Sequence, residues 1–264
     1  VSYAPALDDV TKENLRRWLR AETRSRKTVE RALSFTRKYW RYLQDIGVAP
    51  DESYPFTDLD LPDTLQNPID SRKAFERHEL ATLLEGIADD TAVYNTAVIA
   101  LYTGARIAEV MALRGSSYVI KDDHKCLYIA GTKTKAADRH VPVHPALDVF
   151  LQNLIPKNAD EWLIAGVRSK GGPDRRADVL GKRFGRLKTK LGFPPTKVFH
   201  SLRKTFITMC EQAEAPEGVV ADIVGHEKQT MTYGLYSGGS SIKQRARVIN
   251  SLSFGTIDIA LKTV

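Results

Sequence analysis

Cysteine is scarce in this chain: two residues, Cys126 and Cys210, among 264. Two thiols cannot staple a disulfide framework, which excludes the small secreted scaffolds and points to a reducing, cytosolic compartment. No apolar run approaches the roughly 18 residues that span a bilayer, so no membrane partner is expected. No secretory leader is visible at the start, and a chain beginning at Val rather than Met is expected to be part of a longer protein. Metal-binding spacings are lacking too. His124, Cys126, His140 and His144 fall close together, but Pro142 and Pro145 interrupt any helix that would align the histidines. Neither Cys-x-x-Cys nor His-Glu-x-x-His occurs, and no carboxylate set for two metal ions stands out, so no cofactor is expected.

Basic charge, by contrast, is plentiful. Lys and Arg number 39 against 32 Asp and Glu, a formal charge of +7 with a pI near 9.3. From Lys12 to Arg41 there are eleven basic residues against three acidic ones, so this stretch alone exceeds the charge of the whole chain. A polyanion is the expected partner, nucleic acid first. Arg24, Arg26 and Lys27 are candidate phosphate contacts.

Hydrophobic periodicity sets out mostly helices. Leu15, Trp18 and Leu19 mark a first amphipathic helix; Val29, Leu33, Phe35, Tyr39, Tyr42, Leu43 and Ile46 mark a longer second one, with Ser25 as N-cap and Gly47 as terminator. A short acidic helix is expected at residues 59–65, within a stretch broken by Pro55, Pro62 and Pro68. Arg72 and Lys73 follow, placed to touch phosphates if the linker runs along a duplex. Helices are then expected at 76–87 and 91–102, strands at 126–130 and 140–143 around a basic turn, a helix at 145–154 and a short strand at 161–165. Residues 177–191 form a basic helix whose Arg183 and Arg186 are candidates for a DNA groove. A helix over 241–250 precedes an apolar, partly alternating tail that either closes its own domain or docks on a neighbouring copy.

Two segments carry the chemistry. In Phe199-His-Ser-Leu-Arg-Lys-Thr-Phe206, His200 and Arg203 share one helical face while Leu202, Phe206 and Met209 seat the other. In Val224-Gly-His226, Gly225 is placed as a left-handed helix cap that fixes His226, and Tyr233 and Tyr236 follow. Upstream, Thr103-Gly-Ala-Arg106 begins a turn, with Glu109 close enough to orient the arginine.

The order Arg106, then Gly131-Thr-Lys-Thr-Lys135 ahead of Arg139-His-Val-Pro142, then His200-x-x-Arg203, Gly225-His226 and Leu235-Tyr236-Ser237, resembles the tyrosine recombinases, the class of phage and genomic-island integrases. The resemblance spans about residues 100–240. It implies a mainly α fold with a small β-hairpin or sheet, an α+β architecture: a helical core-binding domain and a tyrosine-recombinase catalytic domain. Residues 1–66 are then the core DNA-binding domain, 67–75 the interdomain linker, and 76–264 the catalytic domain with its tail. It also implies catalytic roles for Arg106, Lys133, His200, Arg203, His226 and Tyr236, cleaving and rejoining DNA through a covalent 3′-phosphotyrosyl link without metal or ATP. Lys133 against Lys135, and Tyr236 against Tyr233, stay open on spacing alone.

The implied partner is a double-stranded attachment site, bound as a tetramer with accessory DNA-bending or directionality proteins, in a bacterial cytoplasm near the nucleoid. An arm-binding domain ahead of Val1 is left open. Two other readings share parts of this pattern: a type IB-like topoisomerase, and a DNA-binding protein of the same fold without catalysis.

Overall fold

Thr11 and Ser25 start the first two helices by accepting backbone N–H groups three residues on, from Asn14 at 3.2 Å and Thr28 at 3.4 Å. The computed structural model describes residues 7–63, 72–131, 138–169, 171–226 and 238–262. The chain divides into two units, Val1–Ser71 and Arg72–Val264.

In the first unit, α1 (Lys12–Ala21) and α2 (Arg26–Asp45) pack around Leu19, Val29, Leu33, Trp40, Phe56 and Leu59. Trp40 is oriented by its indole N–H, which donates to the Ser53 carbonyl at 3.0 Å, and by Phe56 at its edge. Gly47 ends α2 with φ of 71°. The apolar residues of α2 do not form one face. Val29, Leu33 and Trp40 are buried, whereas Phe35, Tyr39, Tyr42 and Ile46 are more than half exposed. Leu33 and Phe35 lie about 200° apart around a helix, so the two sets are separate stripes. The helix expected at 59–65 does not form over residues 59–63: Pro62 lacks an N–H and holds the residue before it extended. Residues 64 and 65 lie outside the described residues.

The second unit is organised around α4 (Thr91–Thr103), which is buried on nearly every side. Asp90 caps it by accepting from Val93 N at 3.1 Å. Gly104 ends it at φ 65°, in a space where a β-carbon would sit 2.6 Å from Phe206 and 2.8 Å from Val224. Only glycine satisfies both the left-handed turn and this close approach. Against α4 pack α3 (Arg77–Ile87), α5 (Ile107–Met111), α6 (Pro145–Gln152), α7 (Pro173–Lys190) and α8 (His200–Gln212).

Beside them lies a three-stranded antiparallel sheet in the order β1 (Tyr118–Lys121), β2 (His124–Ile129), β3 (Arg139–Pro142). Residues 118–121 were not expected as a strand; a tight turn with Asp122 and Asp123 at positive φ pairs them with β2. The strand expected at 161–165 is only an isolated bridge between Arg114 and Trp162. Trp162 spends its surface elsewhere, with the guanidinium of Arg114 at 3.9 Å from its ring and that of Arg176 at 4.8 Å.

The chain closes with α9 (Glu217–Val224), α10 (Ile242–Ser251), which packs on β3 and α9, and α11 (Thr256–Lys262), which packs on α6 of the same chain. The expected alternating tail is therefore a helix. Leu252, Phe254, Ile257 and Leu261 are buried, and Tyr102 donates to Asp258 at 2.5 Å. Among the described residues no helix is long and apolar enough to cross a membrane.

Candidate active site

The site forms where the end of α4, the start of α5, α8 and the end of α9 converge. Arg106 precedes α5, and Glu109 holds it twice: Oε2 accepts the Arg106 backbone N–H and Oε1 accepts Nη1, both at 2.8 Å. The Arg106 side chain keeps 41% of its surface exposed while Glu109 is buried, so the carboxylate aims the guanidinium outward. Arg203 lies on the buried side of α8, 1% exposed, and donates through Nη1 to the Gly104 carbonyl at 2.8 Å. Its Nε and Nη2 find no hydrogen-bond partner among the described residues. Buried donors without partners are costly, and here they belong to a cation, so the arrangement is built for an anion.

Charge around Glu109 makes the same point. Its carboxylate faces Arg106, a second buried arginine, Arg139, through Nη2 at 2.8 Å, and Arg203 Nη1 at 4.0 Å. Three guanidiniums share one carboxylate. Burial alone would raise Glu109, but hydrogen bonds from Arg139 and Arg106 outweigh it and hold it below the usual carboxylate value. Burial and the neighbouring Arg106 bring Arg203 down to about 9, still cationic at neutral pH.

Both histidines reach this charge. His200 opens α8 and His226 follows Gly225, whose φ of 69° turns the chain out of α9. Both are exposed at the surface of the site. Partial burial lowers His200, and Arg72, Arg203 and Arg106 lower it further. Partial burial lowers His226 as well, with Arg203, Arg106 and Arg139 adding to the effect and Glu109 opposing it. At neutral pH each imidazole is therefore neutral, able to accept one proton and donate another.

The structure thus brings together Arg106, His200, Arg203 and His226. Lys133, Lys135, Tyr233 and Tyr236 lie outside the described residues. Two described residues on either side of the stretch that carries the two tyrosines are tied to α9: His226 N donates to Ala221 O at 2.9 Å, and Ser240 N donates to Asp222 Oδ2 at 2.6 Å. Arg245 strengthens the second tie, donating to Ser240 Oγ and to the His140 carbonyl, each at 3.1 Å.

The predicted DNA contacts fall differently. Arg72 lies near His200, and Lys73 donates its backbone N–H to Thr196 O at 3.1 Å. Arg186 is exposed on α7, but Arg183 is engaged with Asp90, forking onto both carboxylate oxygens and tying α7 to the start of α4. In the first unit, Arg24 pairs with Glu22 and Arg26 with Glu30, while Lys27 is exposed.

Arg139, Asp222 and Arg245 were not among the residues expected at the site. Arg139 was nevertheless visible in one respect. It shares a strand face with Val141 by the two-residue repeat, and a charge on a core-facing strand position signals a buried partner.

A helical unit with a small antiparallel sheet, a buried arginine beside a partly exposed one and two flanking histidines in this chain order fits the catalytic unit of a tyrosine recombinase. Residues 73–239 match the Phage integrase family, and the chain belongs to that family. No curated protein sequence matches it. Among solved structures, the integrase of transposon Tn1549 in complex with a circular intermediate DNA superposes with a TM-score of 0.63 at 24% identity, over 91% of this chain and 85% of that one. A lambda integrase dimer bound to a COC′ core site gives 0.63 at 16% identity, over 84% and 81%. A lambda integrase tetramer bound to a Holliday junction gives 0.63 at 16%, over 88% and 68%. At these identities the likeness establishes the fold.

Proposed function

We propose that Arg106, Lys133, His200, Arg203, His226 and Tyr236 are the catalytic set of this site-specific tyrosine recombinase, and that it acts on the ends of a mobile element as an integrase. The observation that carries the assignment is the arginine cluster around the buried Glu109, in which Nε and Nη2 of Arg203 have no partner among the described residues. A phosphodiester under in-line attack gathers negative charge on its nonbridging oxygens, and preorganised guanidiniums stabilise that charge best where water is excluded.

In this reading the Tyr236 hydroxyl attacks phosphorus and its proton passes to His200. The bond from phosphorus to the 5′ oxygen breaks, and Lys133 supplies the proton that the leaving oxygen takes up. Arg106 and Arg203 bind the nonbridging oxygens and His226 donates to one of them. The phosphotyrosyl link conserves the energy of the broken bond, so a 5′ hydroxyl from another strand reverses the step without a nucleotide. The basic stretch of α1 and α2 suits the first unit to phosphate contacts on the same duplex. The Tn1549 and lambda integrases were solved on DNA, the latter also as a tetramer, and they support double-stranded DNA as partner and assembly on it. Accessory bending or directionality proteins belong to the same proposal.

The test is adduct formation. Nicked duplexes tiled across the boundaries of the genetic element that carries the gene are incubated with the protein in EDTA and resolved on denaturing gels. A covalent adduct lost in Tyr236→Phe and kept in Tyr233→Phe is expected. Binding without an adduct on any duplex would favour a non-catalytic DNA-binding protein, and relaxation of supercoils by a monomer would favour a topoisomerase.

A further inference from the structure

We infer that Arg139 is a positioning residue for strand cleavage, saturating Glu109 so that Arg203 keeps two N–H groups for the scissile phosphate; this rests on the recombinase reading of the site. A carboxylate offers about four acceptor positions. Glu109 fills them with Arg106 N and Arg106 Nη1, both at 2.8 Å, Arg139 Nη2 at 2.8 Å and Arg139 Nη1 at 3.4 Å. Arg203 Nη1 stands 4.0 Å from Glu109 Oε2, outside hydrogen-bond range, and donates to Gly104 O instead. Without Arg139, two acceptor positions open on a buried carboxylate, and Arg203 is the cation placed to take them. The guanidinium meant for phosphate would then be held by protein.

The same guanidinium sets a second element of the site. Arg139 Nε donates to the Ile223 carbonyl at 2.7 Å, in the last turn of α9. A β-carbon on Gly225 would meet Arg139 Nη1 at 2.9 Å, so the chain leaves α9 for His226 directly over this side chain. Arg139 also begins β3, two residues after the segment 132–137 that carries Lys133. One fork therefore joins Glu109, which holds Arg106, to the last turn of α9, ahead of His226, and to the start of β3. An ordinary structural pair needs one cation for one carboxylate. Here Arg106 already supplies it.

The experiment measures single-turnover adduct formation at saturating protein on the nicked duplexes, DNA affinity by mobility shift, and thermal unfolding. Arg139→Met is expected to slow adduct formation about 100-fold, the scale of a misplaced catalytic group, while Kd stays within about threefold. Arg139→Lys keeps the charge but not the fork, and is expected to recover only part of the rate. In a Glu109→Gln background, Arg139→Met is expected to cost little more, because the competitor for Arg203 has gone. Independently of DNA, the Arg203 Nε–H resonance is expected to shift on titration with inorganic phosphate in the wild-type protein and not in Arg139→Met.

Wild-type adduct rates in Arg139→Met, or independent multiplicative losses in the double variant, would overturn the proposal. So would a full Arg203 response to phosphate without Arg139. If Arg139→Met does not fold, Arg139→Lys carries the same requirement of a slowed rate at unchanged affinity. Absence of any adduct with the wild-type protein would instead contradict the recombinase reading.

Discussion

Arg203 Nη1 donates to the Gly104 carbonyl at 2.8 Å, which ties the guanidinium of α8 to the turn that ends α4. The carbonyl points there because Gly104 is left-handed, and Phe206, one turn beyond Arg203, fills the space a side chain at 104 would need.

Gly104→Ala is accordingly expected to strain both the turn and the core. The loss should be about 1–3 kcal/mol or more, from overpacking plus a positive φ that alanine adopts reluctantly. Chemical denaturation measures it as a lower midpoint with unchanged slope. Adduct formation in the folded fraction should also fall, because Arg203 loses its fixed acceptor.

Acid should destabilise the free protein as pH falls below about 6.5, the ordinary histidine value. Burial lowers His140, His144, His200 and His226 below the ordinary histidine value, so the unfolded chain binds more protons than the folded one across this window. Stability then rises with pH up to about 6.5 and is lost as pH falls through it. Melting temperatures from pH 5 to 8 check the sign. A bound phosphate should raise His200 and His226, so DNA binding near pH 6.5 should take up protons. Calorimetry in buffers of different ionisation enthalpy would detect this uptake.

Arg183 and Arg186 lie on the same helix but should behave differently. Arg183→Gln breaks the fork onto Asp90 and should cost about 1 kcal/mol of stability with no change in the salt dependence of DNA binding. Arg186→Gln should leave stability alone and lower the slope of log K against log salt by about 1 if Arg186 meets a phosphate.

The turn that leads into the final helix should stabilise the unit that it covers. Phe254 is 6% exposed, with its ring 4.1 Å from that of Tyr102, and Phe254→Ala should cost about 3–5 kcal/mol. A thermal scan of the isolated protein reads this directly.

Much of the site was legible in the sequence because its parts are local. The Arg106–Glu109 pair, the seating of α8 by Leu202, Phe206 and Met209, and the left-handed Gly225 all follow from spacings of one to seven residues. What escaped is long-range. That Arg139 reaches Glu109 and Ile223, or that Asp222 holds Ser240, depends on which elements meet, and no periodicity encodes that. The face of α2 was misread for a related reason. Aromatic residues at helical spacing mark a stripe, but only the fold decides that Phe35 and Tyr39 face outward while Leu33 and Trp40 face in. Likewise the basic residues of α7 read alike in sequence, although Lys188 is buried against the Phe193 and Pro194 carbonyls and Arg183 is committed to Asp90.

The most direct measurement is the identity of the residue joined to DNA. The covalent complex is digested with trypsin and nuclease, and the peptide bearing the nucleotide is sequenced by mass spectrometry. A 3′-phosphate ester on Tyr236 is the expected result. A nucleotide on Tyr233 would move the nucleophile by three residues, and one on a residue outside the 227–237 segment, or no covalent complex at all, would contradict the recombinase mechanism.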